Sequence, residues 1–172
     1  MSYIDNNLLT DEHVVYRTHL HWIIFAKPIL WLLLAFLLYY LYFTYIPNST
    51  PNYYALITAI PLLIAIFEFI PKLVRYKTSE FGVTDKRVIV KTGFIRVNSS
   101  ENFLQKVENI QVHQSIWGRI FRYGTIIIIG TGGTQEPFYL IHEPLIFRRQ
   151  VQEQVGALYK PPANVSIDKL EH

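Results

Sequence analysis

Two long apolar stretches near the N-terminus constrain this chain more than any other feature of its sequence. Residues 23–42 read IIFAKPILWLLLAFLLYYLY and residues 53–70 read YYALITAIPLLIAIFEFI, with one charged side chain in each. At 1.5 Å rise per residue, about 20 helical residues span the roughly 30 Å hydrocarbon core of a bilayer. Both stretches are too uniformly apolar for amphipathic surface helices, and a chain of 172 residues is short for two buried ones. They are therefore expected to form a transmembrane helical hairpin. Residues 46–52 join them with two prolines and no charge, which suits a tight turn outside the hydrocarbon.

Charge placement orients the hairpin. Arg17 and Lys27 flank the first stretch, and Lys72, Arg75 and Lys77 follow the second, while the connector has no Lys or Arg. The positive-inside rule then puts both chain ends on the cytoplasmic side. Tyr39, Tyr40, Tyr42, Tyr45, Tyr53 and Tyr54 would form the outer aromatic belt, and Trp22 would mark the inner interface. Lys27 and Glu68 are the ionisable groups within the spans. Such groups are by default candidates for ion or proton pathways, but two helices this poor in polar residues could not line a pathway without forming a large oligomer. Both lie near the cytoplasmic ends, where they can snorkel or pair, and Glu68 also precedes Lys72 by four residues.

The hydrophobic fraction of 51% is thus bunched rather than spread. With no cysteine, disulfide frameworks, thiolate metal sites and cysteine nucleophiles are excluded. A formal charge of +3 does not argue for nucleic acid, although it suits a chain lying against anionic lipid. The first residues lack the apolar core and cleavage site of a secretory signal, so no N-terminal processing is expected. Residues 170–172, Leu-Glu-His, look like the start of a vector-derived histidine tag, and His172 is not read as a ligand.

Beyond Lys77 the apolar period changes to two and turn residues recur at short intervals, which marks an antiparallel β domain. Strands are expected at 78–84, 87–91, 94–98 and 107–113, the last with Ile110 and Val112 on one face. A short helical turn covers 115–121. Residues 125–129, Thr-Ile-Ile-Ile-Ile, should form the most buried strand, covered on both faces. The Gly-rich segment 130–134 is read as a hairpin turn and not a phosphate cradle, because strand residues 138–142 follow it rather than a helix. Pro144 opens an amphipathic helix whose stripe is Phe147, Val151, Val155 and Leu158, and Pro161-Pro162 stops it.

The stretches GVTDKRVIVKTG (82–93) and LQKVENIQVHQS (104–115), then Gly118-Arg119 and Tyr123-Gly124-Thr125, resemble the bacterial pleckstrin-homology-like (PH-like) membrane proteins of the YdbS type. Residues 12–22, ending in His-Trp before the apolar stretches, are similar to that family too. The resemblance spans residues 9–158, from Leu9 to Leu158. It implies two packed antiparallel sheets in a partly open barrel with the C-terminal helix over one end. The expected whole is an α+β membrane protein: an N-terminal cytoplasmic segment (1–21), a transmembrane hairpin (22–75), a PH-like domain (76–159) and a tail (160–172). The resemblance to a bacterial family places it in the cytoplasmic (inner) membrane.

The functional expectation is a membrane-tethered binding module that recognises a lipid headgroup or a membrane protein partner on the cytoplasmic face. Tethering raises the effective concentration of even a weak site. Lys106, Trp117, Arg119, Arg122 and Tyr123 combine charge with amphipathic aromatics suited to anionic headgroups. The alternative is an assembly protein whose PH-like domain homo-oligomerises through strand edges to organise membrane partners. Catalysis is not expected: there is no G-x-S-x-G, H-E-x-x-H or P-loop, and His113 has no nucleophile at a readable spacing. No cofactor is implied. His19 and His21, two apart, could share a strand face as metal ligands, but no further His or carboxylate adjoins them, and an interfacial role beside Trp22 fits better.

Overall fold

In the computed structural model, residues 3–45, 53–94 and 97–159 are described. The expected connector turn at 46–52, the Pro161-Pro162 stop and the tail fall outside them. The chain forms two units, one helical and one rich in strands.

The helical unit covers residues 20–79, with 92–97 assigned to it as well. Trp22–Phe25 makes a 3-10 turn, capped by His21, whose Nδ1 accepts the Ile23 N–H at 3.2 Å. Helix α2 (Ala26–Tyr45) and helix α3 (Tyr53–Thr78) then follow, both long and apolar enough to cross a membrane. Ala35 and Ala65 are buried, while most large side chains of both helices face outward; Phe67 is 82% exposed. Phe25 packs on Phe69 and Tyr76 with ring centroids 5.3 and 5.4 Å apart. Glu68 pairs with Lys72 one turn along its own helix. The helix runs through Thr78, so the first strand after it starts two residues later than expected. Thr78 Oγ1 donates to the Val74 carbonyl and continues the helical pattern.

The β-rich unit draws on both sides of the helices. Helix α1 (Tyr3–Asn6) and strand β1 (Val14–Thr18) precede them. After them come β2 (Glu80–Thr84), β3 (Arg87–Thr92), β4 (Asn98–Phe103), β5 (Val107–His113), α4 (Ile116–Ile120), β6 (Tyr123–Gly130), β7 (Gln135–His142) and α5 (Pro144–Leu158). One sheet has the order β1-β2-β3-β4 and the other β5-β6-β7. Residues 3–19, expected as a separate cytoplasmic segment, thus fold into the β unit. In β1, Tyr16, Arg17 and Thr18 pair antiparallel with Val83, Gly82 and Phe81.

Two expectations about strands are corrected. The third described strand after the helices is Asn98–Phe103, an edge strand of polar sequence; of the strand expected at 94–98, Phe94 and Val97 are irregular and residues 95–96 lie outside the described residues. The apolar residues of 94–98 suggested a strand, yet Phe94 and Val97 are exposed; an edge strand needs little apolar alternation. Nor is β6 covered on both faces. Ile126 and Ile128 are buried, whereas Thr125, Ile127 and Ile129 alternate with them half-exposed. The strands buried on both faces are β2, where Phe81 through Thr84 are enclosed, and β3, where Val88, Ile89 and Val90 are. Ile4 of α1 covers the outer face of that sheet, and Gly82 permits it: a Cβ there would lie 2.8 Å from Ile4 Cδ1.

The core joins Phe81, Val88 and Val90 with Ile126, Ile128 and Ile141, closed by Phe147 and Val151 of α5. Val155 is only half-buried and Leu158 exposed, so the stripe expected on α5 buries its first half. The β6–β7 hairpin forms as expected, with Gly132 and Gly133 at φ of 96° and 77° in its turn.

A buried ion pair fixes the N-terminal segment to the strands that follow the helices. Arg87 donates from Nε to Glu12 Oε1 and from Nη2 to Glu12 Oε2, both at 2.9 Å, and also bonds Glu101 and the Asn7 carbonyl. Thr84 Oγ1 donates to Glu12 at 2.7 Å. Burial by itself raises the Glu12 pKa, but the hydrogen bonds from Arg87, the Leu9 N–H and Thr84, with the Arg87 charge, outweigh it and hold the carboxyl below its ordinary 4.5. A lowered folded-state pKa contributes stability above the unfolded value that is lost as pH falls through the folded one. The thermal stability of the wild type should therefore fall in acid below about pH 4.5 in a way that Glu12→Gln no longer shows. Glu12→Ala, which leaves Arg87 buried without its main partner, should cost about 3–5 kcal/mol.

Candidate ligand groove and the exposed helix beside it

Helix α4 is short but firmly held. Ser115 caps it, its Oγ accepting the Gly118 N–H at 3.0 Å, and Gln114 Nε2 donates to the Tyr123 carbonyl at 3.0 Å. Gly118 is buried against the body of the unit, and a Cβ there would lie 2.6 Å from the Tyr123 carbonyl oxygen. With Gly118 turned inward, the large side chains turn outward. Ile116 is 79% exposed, Trp117 64% and Ile120 61%, and Trp117 stacks on Phe121 at 6.1 Å between centroids.

The chain leaves α4 through Arg122, which is left-handed at φ 58°. Its carbonyl accepts the N–H of Glu143 at 2.9 Å, and Glu143 is itself left-handed at φ 49° just before α5. Two non-glycine residues in that region cost on the order of 1 kcal/mol each and persist only where their surroundings hold them. Between α4 and the start of α5 lies a groove of about 290 Å³, lined by Gln114, Arg119, Arg122, Glu143, Pro144, Leu145 and Ile146. Arg119 and Arg122 are exposed at its edge, and Arg122 makes a loose contact with Glu143 at 3.4 Å. The N-terminus of the 15-residue α5 adds its positive dipole end.

The five residues expected to form a basic aromatic patch do not all meet. Trp117, Arg119, Arg122 and Tyr123 come together around α4, where Tyr123 is half-buried as β6 begins. Lys106 lies at the other end of β5. Its carbonyl accepts the Thr131 N–H of the β6–β7 turn at 2.9 Å, whereas α4 follows the opposite end of that seven-residue strand. At about 3.4 Å per residue, roughly 20 Å separates the two. Ile116, Ile120, Phe121, Glu143, Leu145 and Ile146 were not singled out from the sequence. The spacing of 116, 117, 120 and 121 was the available signal, because it places all four on one helical face.

The same end of the β unit carries a histidine pair. His19 stacks on His142 at 5.1 Å, the His142 N–H donates to the His19 carbonyl at 3.0 Å, and Thr18 Oγ1 donates to the His142 carbonyl at 2.8 Å. Burial and the neighbouring His142 push the His19 pKa down. The two histidines two apart in sequence thus take different tasks, His21 capping a turn and His19 packing on β7.

The family model described as "Bacterial PH domain" matches residues 22–155. The chain belongs to the bacterial PH-domain family. The match begins after β1, although β1 is part of the bacterial PH domain's four-stranded sheet here. Among solved structures, a DUF1696 family protein with a pleckstrin-homology domain from Shewanella loihica PV-4 is similar at 13% identity, over 48% of this chain and 72% of that one, with a TM-score of 0.35. No curated protein matches.

Because Gly118 seats α4 against a backbone carbonyl, Gly118→Ala should destabilise this corner of the bacterial PH domain by about 1–3 kcal/mol. Hydrogen exchange should show the loss first at the amides of α4 and at the start of β6.

Proposed function

We propose that the chain is a membrane-anchored binding module of the bacterial cytoplasmic membrane, in which α2 and α3 cross the bilayer as a hairpin and the PH domain reads an anionic lipid headgroup on the cytoplasmic side. The observation that carries the reading is the groove with Arg119 and Arg122 at its rim, open beside an exposed aromatic helix. Exposed cations next to Trp117 suit phosphate groups at a membrane interface, where each nearby Lys or Arg contributes about 1 kcal/mol.

Anchoring is supported by how little of the two long helices is enclosed. The core helix of a soluble protein buries its large apolar side chains, but Phe36, Phe43, Phe67 and many leucines here are exposed. Lipid is the solvent in which such a surface is stable. The positive-inside pattern, with Arg17, Lys72, Arg75 and Lys77 all flanking the helices on one side, supports cytoplasmic chain ends. In this reading the domain binds and does not catalyse.

The test is lipid retention by the full chain in mild detergent, followed by native mass spectrometry. Wild-type protein should retain anionic over zwitterionic phospholipid. Arg119→Glu with Arg122→Glu should cut that preference by on the order of tenfold or more, since each reversal removes one attraction and adds one repulsion. Unchanged headgroup preference would remove the groove from the account. A defined oligomer with no headgroup preference would point to the assembly role instead.

A further inference from the structure

The apolar face of α4 is left over once the groove has been assigned. Counting 100° per residue, Ile116, Trp117, Ile120 and Phe121 occupy one arc of about 140°, Gly118 faces the protein body and Arg119 borders the arc. A soluble domain gains nothing by holding four large apolar side chains in water on a helix fixed by a side-chain cap and a buried glycine. Each of the four is exposed, and the two aromatic rings stack on each other.

The position of α4 in the β unit indicates what covers this face. Tyr123, two residues past the arc, pairs with His142, and His142 bonds backbone to backbone with His19. His19 is the last residue of the β unit before the helical one, and the apolar span starts at Trp22. Three residues reach at most about 11 Å. The exposed arc therefore lies at the end of the domain from which the chain leaves for the apolar span, opposite the end that carries Lys106.

We propose that α4 is a membrane-docking wedge: Ile116, Trp117, Ile120 and Phe121 enter the interfacial layer of the same bilayer that α2 and α3 cross, with Arg119 and Arg122 against anionic lipid phosphates. This rests on the anchoring proposed above and adds that the domain is held down on the membrane rather than suspended from it. The chemistry of the face matches that occupant. Tryptophan is enriched at the membrane–water interface, the apolar arc is bordered by arginine, and the carboxylate of Glu143 touches Arg122 at 3.4 Å. Docking fixes the groove's orientation to the headgroup layer.

Tryptophans 22, 31 and 117 are the full set, so quenching can be assigned residue by residue. The full chain carrying Trp22→Phe and Trp31→Phe is reconstituted in vesicles of three parts phosphatidylcholine to one part phosphatidylglycerol. Trp117 should then be quenched by lipids brominated high on the acyl chain and shielded from aqueous iodide. Arg119→Gln or Arg122→Gln should lower the docked-to-undocked ratio by about fivefold each in these vesicles. The companion chain carrying Trp22→Phe and Trp117→Phe keeps Trp31 in α2 as a reporter of anchoring. Quenching of Trp31 by brominated lipid with Trp117 open to iodide would overturn the wedge, leave the anchor intact and assign the arc to a protein partner. Failure of both reporters would overturn the anchor and the wedge with it. Ile120→Cys carrying a polarity-sensitive dye, in a chain with all three tryptophans, gives a second readout at a side chain outside the core; a dye that stays in a water-like environment in the vesicles would also overturn the wedge.

Discussion

The pairing of β1 with β2 is the constraint on which the rest of this structure depends. The two strands are neighbours in one sheet, yet both apolar helices lie between them in sequence. A chain that leaves β1 at Thr18 and re-enters the sheet at Glu80 has to return to the side it left. If the intervening segment enters a bilayer, it must cross an even number of times. Two spans satisfy that condition, and the strand register reaches it independently of the charge pattern in the flanks. Closing so long an insertion costs conformational entropy, but the cost grows only logarithmically with length. Against it stand the β1–β2 ladder and the buried Arg87–Glu12 pair, which join the segment before the helices to the strands after them.

That closure also explains where the candidate site sits within the β unit. β1 reaches the rim of the second sheet through His19 and His142, and β7 turns from His142 through Glu143 into α5. Glu143 meets Arg122, and Arg122 follows α4 two residues past its end. The departure of the chain, the groove and the exposed helix are consecutive links in one chain of backbone hydrogen bonds. A binding site built at that end lies beside the point where the chain leaves the β unit. Its rigidity comes from main-chain contacts, namely the seat of Gly118 on Tyr123 and the Arg122–Glu143 bond, rather than from the exposed side chains themselves.

Much of this was legible in the sequence because it follows from short-range pattern. The two apolar stretches, the bounds of β5, the short helical turn within 115–121, the glycine turn at 130–134 and the start of α5 at Pro144 are local signals, and each appears where it was expected. Features that depend on tertiary pairing were not legible. β1 was not read as a strand of the PH-like domain, because its partner β2 lies beyond both apolar stretches. β4, an exposed edge of Asn, Ser and Glu, carried no apolar alternation, so Phe94 and its neighbours drew the strand assignment instead. The run of isoleucines in β6 suggested burial on both faces, but α1 covers the other sheet, and β2 and β3 are the enclosed strands. Lys106 was grouped with Arg119 and Arg122 by composition alone, and the length of β5 separates them.

Two single-cysteine variants in intact bacterial cells test the central claim most directly, because residues 1–172 contain no cysteine to interfere. Ser49→Cys lies between the two apolar stretches, and Gln152→Cys lies on the exposed side of α5. A membrane-impermeant maleimide should label Ser49→Cys in intact cells and Gln152→Cys only after lysis. Equal labelling of the two sites in intact cells, or recovery of either variant from the soluble fraction, would contradict a hairpin anchor with the bacterial PH domain on the cytoplasmic face.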